Sequence, residues 1–284
     1  MTCIYHNRDL DGYASGAVVK HFHPEATMIG WDYGNPIPEL PAGEGIIMVD
    51  ISFPMKDMQA VAKNSGWSLT WIDHHKSAIK EYREFVGDGE TFCNAVLDET
   101  IAACEIVWKY LSPRGELPKA IEYLGMYDSW RNSDKVLWDS FIMPFQYGMR
   151  SICQSVDTFP ASLLGYDCME QVVEIIQTGK TILNYQKEMN RIKCRSSFER
   201  DFDGLRAVCL ECGGNSQAFE SVWNPNMHDV MLSFSYNGKF WTISLYSTKP
   251  EVDCSALAKA RGGGGHKGAA GFTVKNIADI LGLS

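Results

Sequence analysis

Between Gly45 and Asp50 the chain reads Gly-Ile-Ile-Met-Val-Asp, an almost unbroken apolar run closed by an acid. A short run of this kind suits a parallel strand covered on both faces, because a strand with one wet face alternates apolar and polar residues. The pattern recurs on either side of it. Residues 2–5 read as a first strand running into His6-Asn7-Arg8-Asp9-Leu10-Asp11-Gly12, and the strand that begins at Leu69 ends in Asp73-His74-His75. Residues 27–33 read as a further strand, and helical spacing is expected over 13–22 and 55–64. Strand alternating with helix predicts an α/β fold, a doubly wound and mainly parallel sheet with right-handed crossovers. Such sheets bind ligands outside the carboxyl ends of their strands. One acidic strand end can be nothing more than a polar boundary, and an aspartate at a helix start can simply cap it. Three loaded ends along one edge point to a shared site built from His6, Asp9, Asp11, Asp50, Asp73, His74 and His75.

Further along, residues 100–110 and 119–126 have helical spacing. Asp128 follows the second, either as a cap for the next helix or as another carboxylate of the same site. Regularity weakens over 147–167, with Gly148, Pro160 and Gly165, before one long helix expected over 169–195. Residues 205–210 and 230–236 read as strands, and Asn237-Gly238 is a hairpin-turn signal ahead of a strand at 240–246. A helix is expected over 254–261, followed by four glycines, His266, Lys267 and a run of small residues. Consecutive glycines are costly in backbone entropy, so an ordered run needs a reason. The reason expected here is an anion clamp. Its backbone N–H groups would approach a phosphate, a helix starting after the glycines would add its dipole, and His266 and Lys267 would add charge. The divisions implied are a catalytic domain at 1–165, a connecting helix at 166–200, and a smaller α/β domain with a mixed sheet at 201–284.

Charge narrows the partners. With a formal net charge of −9 over 284 residues, no general basic field is expected to hold long duplex nucleic acid. Metal ions and a local basic patch can still bring phosphates to an acidic protein. The nine cysteines are odd in number and scattered, as reduced cytosolic thiols are. Cys209 and Cys212 form a Cys-x-x-Cys, but no second pair accompanies it to complete a zinc site. The amino terminus lacks a basic region followed by an apolar one, and the apolar runs fall short of a membrane span. A soluble, cytoplasmic protein with no membrane partner is expected.

Taken together, His-x-x-Asp-x-Asp-Gly at 6–12, the lone Asp50, Asp73-His74-His75, Asp128 and Gly-Gly-Gly-His-Lys-x-Ala-Ala-Gly at 263–271 resemble the DHH phosphoesterase superfamily. The likeness is to the branch with a DHHA1 carboxyl-terminal domain, which includes RecJ-like exonucleases, nanoRNases and dinucleotide phosphodiesterases. The resemblance implies a hydrolase with its active site in the cleft between two domains and two divalent metal ions, Mn2+ foremost. It assigns His6, Asp9 and Asp50 to one ion, and Asp11, Asp50, His74 and Asp128 to the other, with Asp50 bridging. Asp73 would orient a histidine, and His75 would contact the scissile phosphate or protonate the leaving oxygen. Gly264, Gly265, His266 and Lys267 would hold a second phosphate of the substrate. The implied reaction is hydrolysis of short oligonucleotides or dinucleotides to mononucleotides. A cyclic-dinucleotide phosphodiesterase, a 3′-phosphoadenosine 5′-phosphate phosphatase and a catalytically idle nucleotide binder stand as alternatives, and assembly as a homodimer is left open.

Overall fold

The computed structural model describes residues 1–214 and 216–282. Contacts divide the chain into two compact units, Met1–Leu183 and Asn184–Ser284.

The first unit alternates strand and helix: β1 (Thr2–His6), α1 (Leu10–Phe22), β2 (Thr27–Trp31), β3 (Ile46–Val49), α2 (Met55–Asn64), β4 (Leu69–Asp73), α3 (Lys76–Val86) and β5 (Asn94–Leu97). Among the described residues these strands form a five-stranded sheet in the order β2-β1-β3-β4-β5, parallel throughout. Side chains alternate across it. Cys3, Tyr5, Ile47, Val49 and Ile72 enter one buried cluster, while Ile4, Ile46, Met48, Leu69 and Trp71 enter another. Met58 and Ile79 of α2 and α3 fill the second cluster. The first is closed by α1 and by α4 (Ala103–Leu111) and α5 (Lys119–Asp128). Both faces are therefore covered, which is why β3 is apolar throughout, and β1 and β4 are apolar apart from Thr2 and Thr70 until they reach the edge. The chain runs outward from β1 to β2 and then returns past β1 to β3. That reversal opens a crevice at the carboxyl ends of β1 and β3.

Beyond α5, α6 (Lys135–Leu137) passes through a π-helical turn, Trp138–Ile142, into α7 (Met143–Ile152). Residues 147–152 are therefore helical, where the sequence pattern weakens at Gly148. That glycine is a point of close approach and not a breaker. A Cβ at Gly148 would lie 2.2 Å from the Ile175 carbonyl oxygen, and one at Gly179 would lie 1.7 Å from that of Pro144. Ile175 and Gly179 belong to α8 (Met169–Lys193), so the pair of glycines lets two helix backbones meet.

The second unit holds β6 (Phe198–Phe202), β7 (Leu205–Glu211), β8 (Val230–Tyr236), β9 (Trp241–Tyr246), α9 (Cys254–Lys259), β10 (Gly264–His266), β11 (Ala269–Val274) and α10 (Ala278–Leu281). Its six-stranded sheet runs β10-β11-β9-β8-β7-β6, with β7 and β8 parallel and the other neighbours antiparallel. Cys209 and Cys212 point into different buried clusters, so they do not act as a pair.

One expectation is overturned in this unit. No helix follows the glycines: Gly264 to His266 pair with Gly271 to Ala269 in a hairpin, and Ala269 to Val274 continue along β9. Alanine is a good helix former, but that preference is weak beside a strand's full set of cross-strand partners. Gly265 sits at φ +138, and a Cβ there would fall 2.5 Å from the Ala270 Cα. Gly263 and Gly265 serve close strand pairing, and the expected helix dipole is absent from this point. His266 and Lys267 are exposed at the hairpin end. Among the described residues no helix is long and apolar enough to cross a membrane.

Candidate metal centre

His6 closes β1 with its ring buried, and Asp9 then caps α1, accepting a hydrogen bond from the Gly12 N–H at 3.0 Å. Because the cap lies at Asp9, α1 starts at Leu10, three residues earlier than the spacing of its apolar positions implied. Asp11 thereby falls in the first turn, buried, with its carboxylate accepting from the Ala103 and Cys104 N–H groups at 2.9 and 2.8 Å. It caps α4 from 92 residues away while its Oδ2 lies 3.6 Å from His74 Nε2. Gly12 is needed for this turn: a Cβ would sit 2.0 Å from the His6 carbonyl oxygen. Gly12→Ala is expected to cost roughly 1–3 kcal/mol in denaturant unfolding by forcing α1 off β1. It should also weaken any stabilisation that a divalent ion bound at this cluster would confer, which would depend on where His6 and Asp11 stand.

Asp50 follows β3 in the left-handed region, φ +59, a conformation costly for a residue with a Cβ. The turn aims its carboxylate into the crevice, where it is 1% exposed and neither oxygen has a hydrogen-bond partner. Its two oxygens face different histidines. Oδ2 lies 3.4 Å from His6 Nδ1, and Oδ1 lies 3.4 Å from His74 Nε2. At the end of β4, Asp73 is fully buried and its Oδ1 accepts from the His74 N–H, the His75 N–H and the His75 ring Nδ1, at 2.7, 3.1 and 2.7 Å. Asp73 therefore fixes the turn and holds the ring of His75, leaving the ring of His74 free to face the acids. Asp128, the last residue of α5, brings its Oδ2 to 3.3 Å from His74 Nε2. The next helix is capped by Asp134, and among the described residues Asp128 caps none and faces His74 instead.

Two trios result. His6, Asp9 and Asp50 offer ligand atoms within 4.8 Å of one another, and so do Asp11, His74 and Asp128. Asp50 lies between them with one oxygen toward each.

The electrostatics suit cations. Burial raises the Asp11 and Asp50 carboxyls well above the ordinary range, and neighbouring carboxylates push them further. Asp128 is raised as well, chiefly by burial and then by Asp9, against the opposing influence of His74. Burial opposes charge on His75, but its hydrogen bond to Asp73 and the charges of Asp73, Asp50 and Asp11 prevail and bring it to about 9. Buried carboxylates facing one another without partners are expensive. Divalent ions in this position would supply the missing partners for Asp50 and for the unbonded His6 Nδ1. Carboxylates mixed with a few imidazoles suit manganese or its hard and borderline neighbours.

Sequence reasoning missed Asp32. It stands 3.6 Å from His6 Nε2 and accepts from Arg8 Nη1 at 3.1 Å, so it steadies the far side of that ring. The signal was present, an acid directly after a strand, but the strand was expected to run on to residue 33. The amides of Ala103 and Cys104 carry no side-chain signal at all.

Residues 1–127 match the sequence model described as "DHH family, N-terminal domain". They form a DHH-family domain. Along nearly its whole length, 98%, the chain is 25% identical to an uncharacterized protein of Acanthamoeba polyphaga mimivirus, covering 68% of that protein. Among solved structures, the pGpG-specific phosphodiesterase PggH of Vibrio cholerae superposes with a TM-score of 0.58 at 10% identity, over 98% of this chain and 94% of that one. RecJ of Thermus thermophilus, in complex with Mn2+, superposes with a TM-score of 0.51 at 13% identity, over 98% of this chain and 50% of RecJ. Identities this low establish the fold. The DHH-family fold thus carries, at its switch point, an Asp/His cluster able to bind metal.

Proposed function

We propose that the protein is a manganese-dependent phosphodiesterase that hydrolyses dinucleotides or short oligonucleotides to mononucleotides. The observation that carries this reading is the position of Asp50, one oxygen toward each of two ligand trios. His6, Asp9 and Asp50 would hold one ion, and Asp11, Asp50, His74 and Asp128 the other. When bound, such a pair of ions activates water and offsets the negative charge that grows on a phosphoryl group under attack.

The chain's own groups do the rest. Asp73 accepts the Nδ1–H of His75, so the proton His75 can deliver is on Nε2. With the imidazole kept charged by that carboxylate, Nε2–H can donate to a phosphate oxygen and then pass its proton to the departing oxygen. Asp11 holds the first turn of α4 in place and keeps its own orientation through the two amides it accepts from. In the second unit, Gly264 with the exposed Gly265, His266 and Lys267 would take a phosphate of the substrate.

A short linear substrate is favoured because the chain is acidic overall and because PggH, alike in fold, is specific for pGpG. With the full chain and manganese, kcat/KM for linear dinucleotides is expected to exceed that for cyclic dinucleotides, 3′-phosphoadenosine 5′-phosphate and longer single strands by roughly tenfold or more. Turnover confined to cyclic dinucleotides or to the bisphosphate would replace the substrate assigned here. Nucleotide binding without turnover in manganese, magnesium or cobalt would replace the enzyme with a binder.

A further inference from the structure

We infer that Trp130 is the surface on which a nucleobase of the substrate stacks beside the metal centre; the inference rests on the phosphodiesterase reading above. It starts from how α5 ends. The Trp130 N–H donates to the Tyr127 carbonyl at 3.2 Å and the Arg131 N–H to that of Met126 at 2.9 Å, the bonding pattern that closes a helix around one left-handed residue. That residue is normally glycine. Helix α2 ends in the same way and follows the rule, with Gly66 at φ +70 and N–H bonds from Gly66 to Lys63 and from Trp67 to Ala62. At the end of α5 the place is taken by Trp130, at φ +55.

Burial does not repay the strain, since Trp130 is 62% exposed. A large apolar side chain that is strained in its backbone and left mostly in water gains little for the fold, and such outliers gather at functional sites. Strain alone does not decide the matter. Trp67 is also exposed at positive φ, but it precedes β4 at the opposite edge of the sheet. The place of Trp130 is what decides.

Two residues before it, Asp128 faces His74 at 3.3 Å. One residue after it, Arg131 donates to the buried Glu105, which lies next to the α4 amides that hold Asp11. The turn bearing Trp130 is thus tied on both sides to the metal centre, and its Cα cannot lie more than about 7 Å from that of Asp128. The indole is also held still. It packs edge-on against Trp138 at 5.1 Å and 70°, and Trp138 stacks nearly parallel on Tyr127 at 5.6 Å. The Arg150 guanidinium covers Tyr127 at 5.4 Å, and its Nη2 donates to the Tyr127 hydroxyl at 3.4 Å. An exposed, packed π-face two residues from a carboxylate of the candidate metal centre fits a flat base attached to a phosphodiester. Stacking of this kind accepts every base, which gives affinity without sequence preference.

The test uses the full chain with manganese, pGpG, and an abasic counterpart of pGpG lacking its bases. Trp130→Ala should raise KM for pGpG by on the order of tenfold with kcat nearly unchanged, the mark of lost uniform binding. Trp130→Phe should restore most of that affinity, Trp67→Ala should leave it unmoved, and KM for the abasic compound should be the same in wild type and Trp130→Ala. An unmoved KM for pGpG, or an equal rise for both compounds, overturns the inference. Failure of the wild type to turn over either compound would count against the phosphodiesterase reading alone. Calorimetric titration with pGpG then decides the stacking: weaker binding by Trp130→Ala, again on the order of tenfold, upholds it. Equal affinity, or no binding by the wild type, overturns it.

Discussion

Asp50→Asn will lower manganese-dependent turnover by on the order of 10³ or more while making the metal-free protein more stable. The two effects have opposite signs because they come from the same carboxylate in two states. With ions held, Asp50 would serve both trios, since one of its oxygens lies toward each, and an amide would not replace its carboxylate there. Metal-free, it is a buried acid at φ +59 with both oxygens unpartnered and other carboxylates around it. Asparagine tolerates the left-handed region better than most residues, and its amide can donate to neighbours that an aspartate only repels. Relief of a buried, unsatisfied charge is worth roughly 1–3 kcal/mol. In a unit of this size that is a rise in Tm of roughly 2–4 °C for each kcal/mol. Thermal unfolding in chelator at pH 8, set beside initial rates in manganese, reads both. If activity and metal-free stability fall together, Asp50 is a structural residue and the two-trio assignment fails.

How much of this could be read from residues alone follows from what carries each feature. The parallel sheet was legible because β3 is apolar without interruption up to Asp50, and β1 and β4 are nearly so up to their polar ends, as strands covered on both faces are. The convergence of His6, Asp50 and His74 followed from the parallel order, which puts every strand's carboxyl end on one side. Contacts made by backbone were not legible. The α4 amides that grip Asp11 lie 92 residues away, and nothing in Ala103 or Cys104 announces them. Glycine misled twice for one reason: Gly148 resembled a helix breaker, and the run at 262–265 resembled the approach to a helix start. In both places the missing Cβ makes room for a backbone met only in the folded chain, that of α8 in one case and of β11 in the other. Trp130 was invisible as a site residue, because a tryptophan after a helix reads as core until its φ and exposure are known.

The stabilisation that manganese confers will grow steeply with pH, small near pH 5 and large near pH 7.5. Without metal, Asp11, Asp50 and Asp128 have folded pKa values raised above the ordinary carboxylate range. A group raised on folding contributes stability that is fully present below its unfolded value, near 4 for aspartate, and is lost as pH rises through its folded value. His75 acts in the same direction, since its favourable charge is lost as pH climbs from about 6.5 toward about 9. The metal-free centre therefore becomes progressively more costly above pH 4. A divalent ion competes with protons for the same oxygens, so its affinity rises over this interval. Each proton displaced on binding adds about 1.4 kcal/mol per pH unit to the stabilisation at fixed free metal. The difference in Tm with and without manganese, measured across that range, isolates the centre, because surface ion pairs such as Arg206 with Asp229 are present in both arms and cancel. In Asp50→Asn the slope should flatten, since one of the competing carboxylates is gone. A difference that stays level with pH, or shrinks as pH rises, would mean that manganese binds somewhere other than these acids.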